Sequence, residues 1–354
     1  MLSWTHGNSV TENPLAKDLD HILDHTRELW EELRGERLFI TGGTGFFGCW
    51  LLESFAWAND RLSLGAAAVV LTRNPDAFRQ KAPHVATRPA IRFHMGNMQS
   101  FDFPTGSFSH VIHAATETNL QHEHVGALGQ FGANTQGTGR TLDLAVASGA
   151  RKFLLTSSGA VYGRQPAEIT HIPEDYVGAP APTDSGSAYA QSKRVSEFMC
   201  AVYAQCHGLQ VAIARCFAFV GPWLPLDRNY AIGNFIRDAL HGGPIRVMGD
   251  GTPYRSYLYA SDLAVWLWTI LFRGRSGGAY NVGEEREITV ADLAREVAAV
   301  VHPHASVEVL QRPAPGQPVE RYVPSTERAR EELGLEAWTR LDEAIRRTAE
   351  FYRR

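Results

Sequence analysis

Tyr189 and Lys193 stand four residues apart in the run Tyr189-Ala190-Gln191-Ser192-Lys193. On a helix, positions i and i+4 share a face, so the phenol and the ammonium can point at one place. An ammonium near a phenol favours the phenolate and is expected to lower its pKa from the usual value of about 10. A phenol so lowered can take the proton from a substrate hydroxyl while hydride leaves the same carbon. Upstream, Ser157 and Ser158 end an apolar run and precede Gly159-Ala160-Val161-Tyr162-Gly163. A serine at the carboxyl end of a strand can hydrogen-bond that same oxygen. Alone, a Tyr-x-x-x-Lys pair is more often a structural helix pair, and the chemical reading gains force from what precedes it.

What precedes it is a glycine turn, Thr41-Gly42-Gly43-Thr44-Gly45-Phe46-Phe47-Gly48. Gly42 and Gly45 allow a tight turn and a close backbone approach to a pyrophosphate. Gly48 lets the following helix pack on the strand, and the helix N-terminus favours phosphate charge. In a strand-turn-helix context this reads as a dinucleotide site, with Phe46 and Phe47 in its wall. The second strand ends Leu71-Thr72-Arg73-Asn74, with no carboxylate for a ribose 2′-hydroxyl. Arg73 suits a 2′-phosphate and suits solvent almost as well, so NAD and NADP both stay open.

These groups need elements to hold them. Arg37–Thr41, Ala67–Leu71, Ile91–His94, His110–Ala115, Lys152–Ser157 and Val211–Phe217 read as strands. Helices fit the stretch through Trp50 and Phe55, Thr135–Ser148 and Tyr189–His207. The alternation predicts a Rossmann-type doubly wound parallel sheet. After Gly221-Pro222 the rhythm breaks, and a smaller C-terminal α/β substrate lobe is expected. Its short strands are Ile245–Met248, Ala279–Val282 and Val307–Leu310; its helices are Ile232–His241, Ser261–Phe272, Val290–Val301 and Arg340–Arg353. Residues 1–12 read as a loose start, and Pro14–Leu33 carries apolar residues at helical spacing, an extra helix docked on the body. The expected division is 1–35, 36–221 and 222–354, with some elements of the last part free to return to the main sheet.

The 354 residues, 44% hydrophobic, suffice for a large core, and the net charge of −4 argues against a nucleic-acid binder. The four cysteines form no CxxC pair and read as free thiols, so no metal is expected. No signal-peptide pattern and no bilayer-length apolar run are evident, and a cytoplasmic location away from membranes is expected.

The motifs TGGTGFFG, HAAT, NTQGT, LLTSSGAVYG, YAQSK, RCFAFVGP and RSYLYASDLA occur in this order between about residues 36 and 350. In that combination the chain resembles the extended short-chain dehydrogenase/reductase family, in its nucleotide-sugar epimerase, dehydratase and decarboxylase branch. The resemblance implies Ser158, Tyr189 and Lys193 as the catalytic set. It implies cofactor contacts from the glycine turn, from Ala114, Ala115 and Thr116, from Asn97 and Met98 near the adenine, and from Tyr189 and Lys193. Asn134 is implied to pack the active-site side, and Arg255 to hold the diphosphate of a nucleotide-sugar substrate. Asp262 is expected to cap a helix. Substrate contacts are also expected from Glu117, Tyr230, Asn234 and Tyr254, with Trp223–Asn234 closing over the nucleotide. The family implies a homodimer through Thr135–Ser148 and Tyr189–His207, with Ala145, Val195, Met199 and Val202 among the outward candidates.

The chain also departs from the pattern. In the 4,6-dehydratases of this branch, Asp and Glu follow the catalytic hydroxyl residue; here Gly159 and Ala160 do, and neither can exchange a proton. Ala218 replaces a usual Asn, and Asn97-Met98 replaces the usual acidic-apolar pair. The expected activity is therefore epimerisation through transient oxidation at C4. An NADPH-dependent 4-keto-sugar reductase, a decarboxylase or dehydratase of the same family, and a non-enzymatic protein on this fold remain as alternatives.

Overall fold

The alternating apolar runs build one seven-stranded sheet in which every neighbouring pair is parallel. Its strands are β1 (Arg37–Thr41), β2 (Ala67–Thr72), β3 (Ile91–Met95), β4 (His110–His113), β5 (Lys152–Ser158), β6 (Gln210–Cys216) and β7 (Ala279–Val282). Their order is β7-β6-β5-β4-β1-β2-β3. Strand order reverses between β1 and β4, where Thr41 and His113 are register partners at the carboxyl ends. A crevice outside such a switch point is where open α/β sheets take ligands. The computed structural model describes residues 13–118, 126–314, 316 and 318–353; the expected loose start at 1–12 lies outside these.

Strand periodicity decides what each face buries. Leu38, Ile40, Val70, Ile112 and Leu154 face one side, where α1 (Ala16–Thr26), α2 (Phe46–Leu62) and α6 (Ala260–Arg273) pack. Phe39, Val69, Val111, Phe153 and Leu155 face the other, against α3 (Ala127–Ala147) and α4 (Ala188–His207). Helix α3 begins eight residues before the expected Thr135, because Gly129 and Gly132 hid its first turns from a propensity reading. Ala145 is fully buried on the sheet side, which removes it from the outward face; Val202 and Phe198 of α4 are the exposed ones.

The lobe surrounds its own core of Ile232, Phe235, Ile236, Leu293, Val297 and Ile345. It contains α5 (Ala231–Leu240), α7 (Val290–Val301) and α8 (Leu341–Tyr352). A parallel pair, Ile245–Val247 with Val307–Val309, lies beside them, as does a three-stranded sheet ordered Ile288–Thr289, Tyr254–Arg255, Arg321–Tyr322. Two elements from beyond residue 222 lie on the main sheet instead: β7 extends its edge, and α6 covers its face.

The N-terminal extension is docked along its length. After α1 a 3-10 turn, Arg27–Leu33, lays the fully buried Trp30 against Trp268, with ring centroids 4.6 Å apart. The Trp30 indole donates to Thr26 Oγ1, which in turn donates to Ile22 O. Buried Asp18 accepts from Tyr259 Oη at 2.9 Å and from Arg347 Nη1 at 2.6 Å. Asp262 does not cap α6: the cap position is Tyr259, and the Asp262 carboxylate is occupied by the Thr339 amide at 2.8 Å and by His21. It ties the first turn of α6 to the chain before α8, a reach the local sequence does not show.

Candidate functional site

The glycine turn closes as its spacing requires. Gly42 has φ +71, and a Cβ there would come within 2.5 Å of the Ala114 and Ala115 backbone, so only glycine fits. At Gly48 a Cβ would meet Gly43 Cα at 2.3 Å; this glycine lets the first turn of α2 pass over the loop. Gly45, the N-cap of α2, faces open space apart from Gly42 O. The first amides of α2, from Phe46 and Phe47, therefore point at a cradle suited to a pyrophosphate. Phe47 is braced edge-on by Phe219 at 5.1 Å.

The end of β4 is fixed against this loop by a buried relay. Ala114 N donates to Thr41 O, Ala115 N to Thr41 Oγ1, and Thr41 Oγ1 meets His113 Nδ1 at 2.7 Å. Burial holds His113 neutral, with its pKa pushed down to about 3. Asn134 on α3 clamps the next two residues: its Oδ1 accepts from Glu117 N at 2.7 Å and from Thr116 Oγ1. Its Nδ2 donates to Glu117 O and to Ser192 Oγ on α4. One amide thus links the Ala114–Glu117 segment to the helix carrying Tyr189 and Lys193. Arg73 projects exposed at the end of β2, Asn97 is exposed in a turn, and Met98 lies against Gly137 of α3.

Ser158 at the end of β5 and Tyr189 and Lys193 on α4 come together over the carboxyl edge of β6. Ser158 Oγ accepts from Ala160 N at 3.2 Å and is close enough to the Tyr189 phenol to favour its ionised form. Lys193 is buried, and Nζ donates to Thr156 O at 2.8 Å while lying 6.0 Å from the Tyr189 ring centroid. Burial brings its pKa down to about 8. The expected lowering of Tyr189 does not occur in this arrangement. Burial pushes that phenol up to about 12, and the Ser158 hydrogen bond is what opposes it. The lysine charge is spent on a backbone carbonyl rather than on the phenol.

Behind the serine, Ser157 Oγ donates to Glu197, which pairs with Arg215 at 2.8 Å; Arg215 also donates to Tyr162 Oη. This network holds β5, β6 and α4 in register. Gly159 packs under Phe217, whose ring atoms would lie 2.6 Å from a Cβ at that position.

The lobe brings Arg255 and Tyr322 to the same edge as register partners on adjacent strands. Arg255 donates to Glu320 at 3.2 Å. Tyr230 occupies the N-cap position of α5 without a side-chain cap bond, and its ring is exposed. Asn234 instead turns its Oδ1 to Arg237, and Tyr254 lies under the Arg321 guanidinium at 4.2 Å. Trp223 packs on Phe351 at 5.0 Å, so the start of Trp223–Asn234 belongs to the core rather than to a closing flap.

Tyr322 was not legible as a site residue. Its hydroxyl lies 3.4 Å from Ser158 Oγ and donates to Cys216 O, also at 3.4 Å. The serine and this tyrosine are 164 positions apart; strand pairing with Tyr254–Arg255 and the bonds of Val323 to Gln165 and Ile172 bring them together.

A parallel switch-point sheet, a glycine-turn cradle and a Ser-Tyr-Lys cluster define a dinucleotide-dependent oxidoreductase-type site. The model of the NAD dependent epimerase/dehydratase family matches residues 38–283, and the chain belongs to that family. It is thus an enzyme of the extended short-chain dehydrogenase/reductase type. UDP-glucuronic acid decarboxylase 5 of Arabidopsis thaliana is 30% identical over 309 residues, 87% of either chain. UDP-glucuronic acid decarboxylase 1 of Danio rerio is 28% identical over 90% of this chain and 73% of its own. Among solved structures, a dTDP-glucose 4,6-dehydratase from Streptomyces venezuelae, with NAD and TYD bound, superposes with a TM-score of 0.74. It is 25% identical over 90% of this chain and 97% of that one. The UDP-glucose 4-epimerase of Thermotoga maritima, with UDP-glucose, gives a TM-score of 0.73 at 19% identity over 90% and 98%, a likeness of fold.

Proposed function

We propose that this protein is a nucleotide-diphosphate-sugar epimerase that inverts a carbinol centre by oxidising and re-reducing it at one site. The observation that carries the reading is the cluster of Ser158, Tyr189 and Lys193 followed by Gly159 and Ala160. The cluster offers what a reversible redox step at one carbon needs. The two residues after Ser158 offer nothing that could move a proton or water at the neighbouring carbons. Nor can a carboxylate be placed at 159 while the Phe217 ring stays where it is.

NAD suits the cradle of Gly42, Gly45, Phe46 and Phe47 and the wall of Ala114–Thr116, and when bound it accepts and returns the hydride. Tyr189 takes the proton of the reacting hydroxyl and gives it back, with Ser158 bonded to the same oxygen. Lys193, anchored on Thr156 O, fixes the α4 end of the site. Arg255, beside Tyr322 at the lobe edge, holds the diphosphate in this reading, exchanging its Glu320 contact for it. The exposed Phe198 and Val202 on α4 support a homodimer through α3 and α4, which sedimentation at micromolar concentration tests.

A second reading, decarboxylation of a nucleotide glucuronate, is favoured by the UDP-glucuronic acid decarboxylases among the relatives. It shares the first oxidation, after which the carboxylate stands β to a ketone. Proton NMR on protein incubated with UDP-glucose, UDP-galactose, UDP-glucuronic acid and dTDP-glucose separates the two. Inversion at one carbon supports epimerisation, and loss of carbon dioxide from UDP-glucuronic acid supports the second reading. Tyr189→Phe is expected to abolish turnover while the fold persists; near-normal turnover in that variant refutes the mechanism.

A further inference from the structure

We propose that Tyr322 is a positioning residue that sets the Ser158 hydroxyl as a hydrogen-bond donor, and that the lobe thereby switches the serine into its working orientation. The inference rests on the Ser158-Tyr189-Lys193 reading above and adds to it a residue from outside the sheet.

A serine hydroxyl carries one proton and two acceptor lone pairs. One acceptor position on Ser158 Oγ is filled by Ala160 N–H at 3.2 Å. The Tyr322 hydroxyl lies 3.4 Å away, within reach of the second. When Tyr322 donates there, both acceptor positions are filled and the serine proton has to point outward. An outward proton is available to the Tyr189 phenol, on which Ser158 acts, and to a bound substrate oxygen. Donation from Ser158 is what favours the phenolate of Tyr189 over its acid. A free rotor can do the opposite, by accepting from the phenol.

The alternative acceptor for Tyr322 is Cys216 O, also at 3.4 Å. One phenol proton therefore stands between two acceptors, one structural and one in the site, both at the long end of the hydrogen-bond range. Which of them wins depends on where the strand Arg321–Tyr322 sits. That strand belongs to the lobe and is paired with Tyr254–Arg255, so a diphosphate drawn to Arg255 pulls on the register partner of Tyr322. The ring of Tyr322 is independently anchored, with its centroid 4.6 Å from that of Phe217. Removing only the hydroxyl hence leaves the packing in place.

The experiment is a double-mutant cycle on the NAD-loaded full-length enzyme, with UDP-glucose, UDP-galactose, UDP-glucuronic acid and dTDP-glucose as probes. Tyr322→Phe is expected to lower kcat about tenfold, the scale of one positioning hydrogen bond, with KM within about twofold. The rising limb of its kcat–pH profile is expected to move to higher pH, because Tyr189 loses the donor that favours its phenolate. In a Ser158→Ala background, Tyr322→Phe should cost nothing further. Wild-type kcat in Tyr322→Phe, or losses that multiply in the double variant, would overturn the proposal while leaving the Ser-Tyr-Lys reading intact. An unmoved pH limb would reduce Tyr322 to a packing residue and overturn it as well. Full turnover in Ser158→Ala, or no wild-type turnover of any probe, would bring down both readings together.

Discussion

Lys193 Nζ is bound to Thr156 O at 2.8 Å and stands 6.0 Å from the centre of the Tyr189 ring. The ammonium thus fastens α4 to the carboxyl end of β5, two residues before Ser158. Its charge is buried, and its ordinary pKa is brought down to about 8 for that reason.

Lys193→Met tests what the ammonium contributes. The methionine keeps the length and loses the charge, so the Thr156 carbonyl gives up one donor and the interior gives up one desolvated ion. Turnover of a converted nucleotide sugar is expected to fall by about a hundredfold or more, the range for losing part of an acid–base site. The thermal midpoint is expected to hold or rise. A large drop in the midpoint, seen by calorimetry, would show that the lysine is chiefly structural.

Gly159→Ala probes the wall beside Ser158. A methyl group at this position meets the Phe217 ring at 2.6 Å, and that ring is in turn packed on Tyr322 and Tyr162. Overpacking of this kind costs about 1–3 kcal/mol. Urea unfolding should register that loss, and turnover should fall with it as the ring is displaced toward Tyr322. Combining it with Phe217→Leu should recover most of the stability.

The acid side of the stability curve is set in part by His110. It is fully buried at the start of β4 beneath Phe272, and burial brings its pKa down to about 4 from the usual 6.5. Around it lie Glu32, Glu36, Arg151 and Lys152, of which the two cations add to the depression and the two carboxylates oppose it. Between about pH 4 and 6.5 the unfolded chain therefore binds a proton that the folded chain refuses. Stability is expected to be fully present above pH 6.5 and to decline as the pH falls toward 4. In His110→Phe, the drop in urea midpoint between pH 7 and pH 5 should be smaller than in the wild type.

The sheet was readable because its strands are short apolar runs bounded by turn residues, and the glycine turn because sterics leave no other residue type at Gly42 and Gly48. Ser158, Tyr189 and Lys193 were readable because one helix face and one strand end carry them. The electrostatics were not. Sequence spacing puts Lys193 near Tyr189, but it says nothing of the Thr156 carbonyl that takes the ammonium or of the burial that outweighs it. Asp262 lies in the first turn of α6 and looked like a cap. Its partners, Thr339 and His21, come from the far end and the near end of the chain. Tyr322 stayed hidden for the same reason: contacts made by pairing short lobe strands leave no periodic trace.

Asp18 and Arg347 meet at 2.6 Å across a separation of 329 residues, with Tyr259 as the third member. The helix bearing Asp18 is made long before the guanidinium that answers its buried carboxylate. Until α8 has been made, Asp18 lacks the Arg347 half of its anchor, although α6 can already cover Trp30 through Trp268 and Phe272. The helix α1 is therefore pinned to the lobe only once α8 exists, after the sheet face it covers is complete. A chain truncated shortly before Arg347 should fray first around Asp18 in α1.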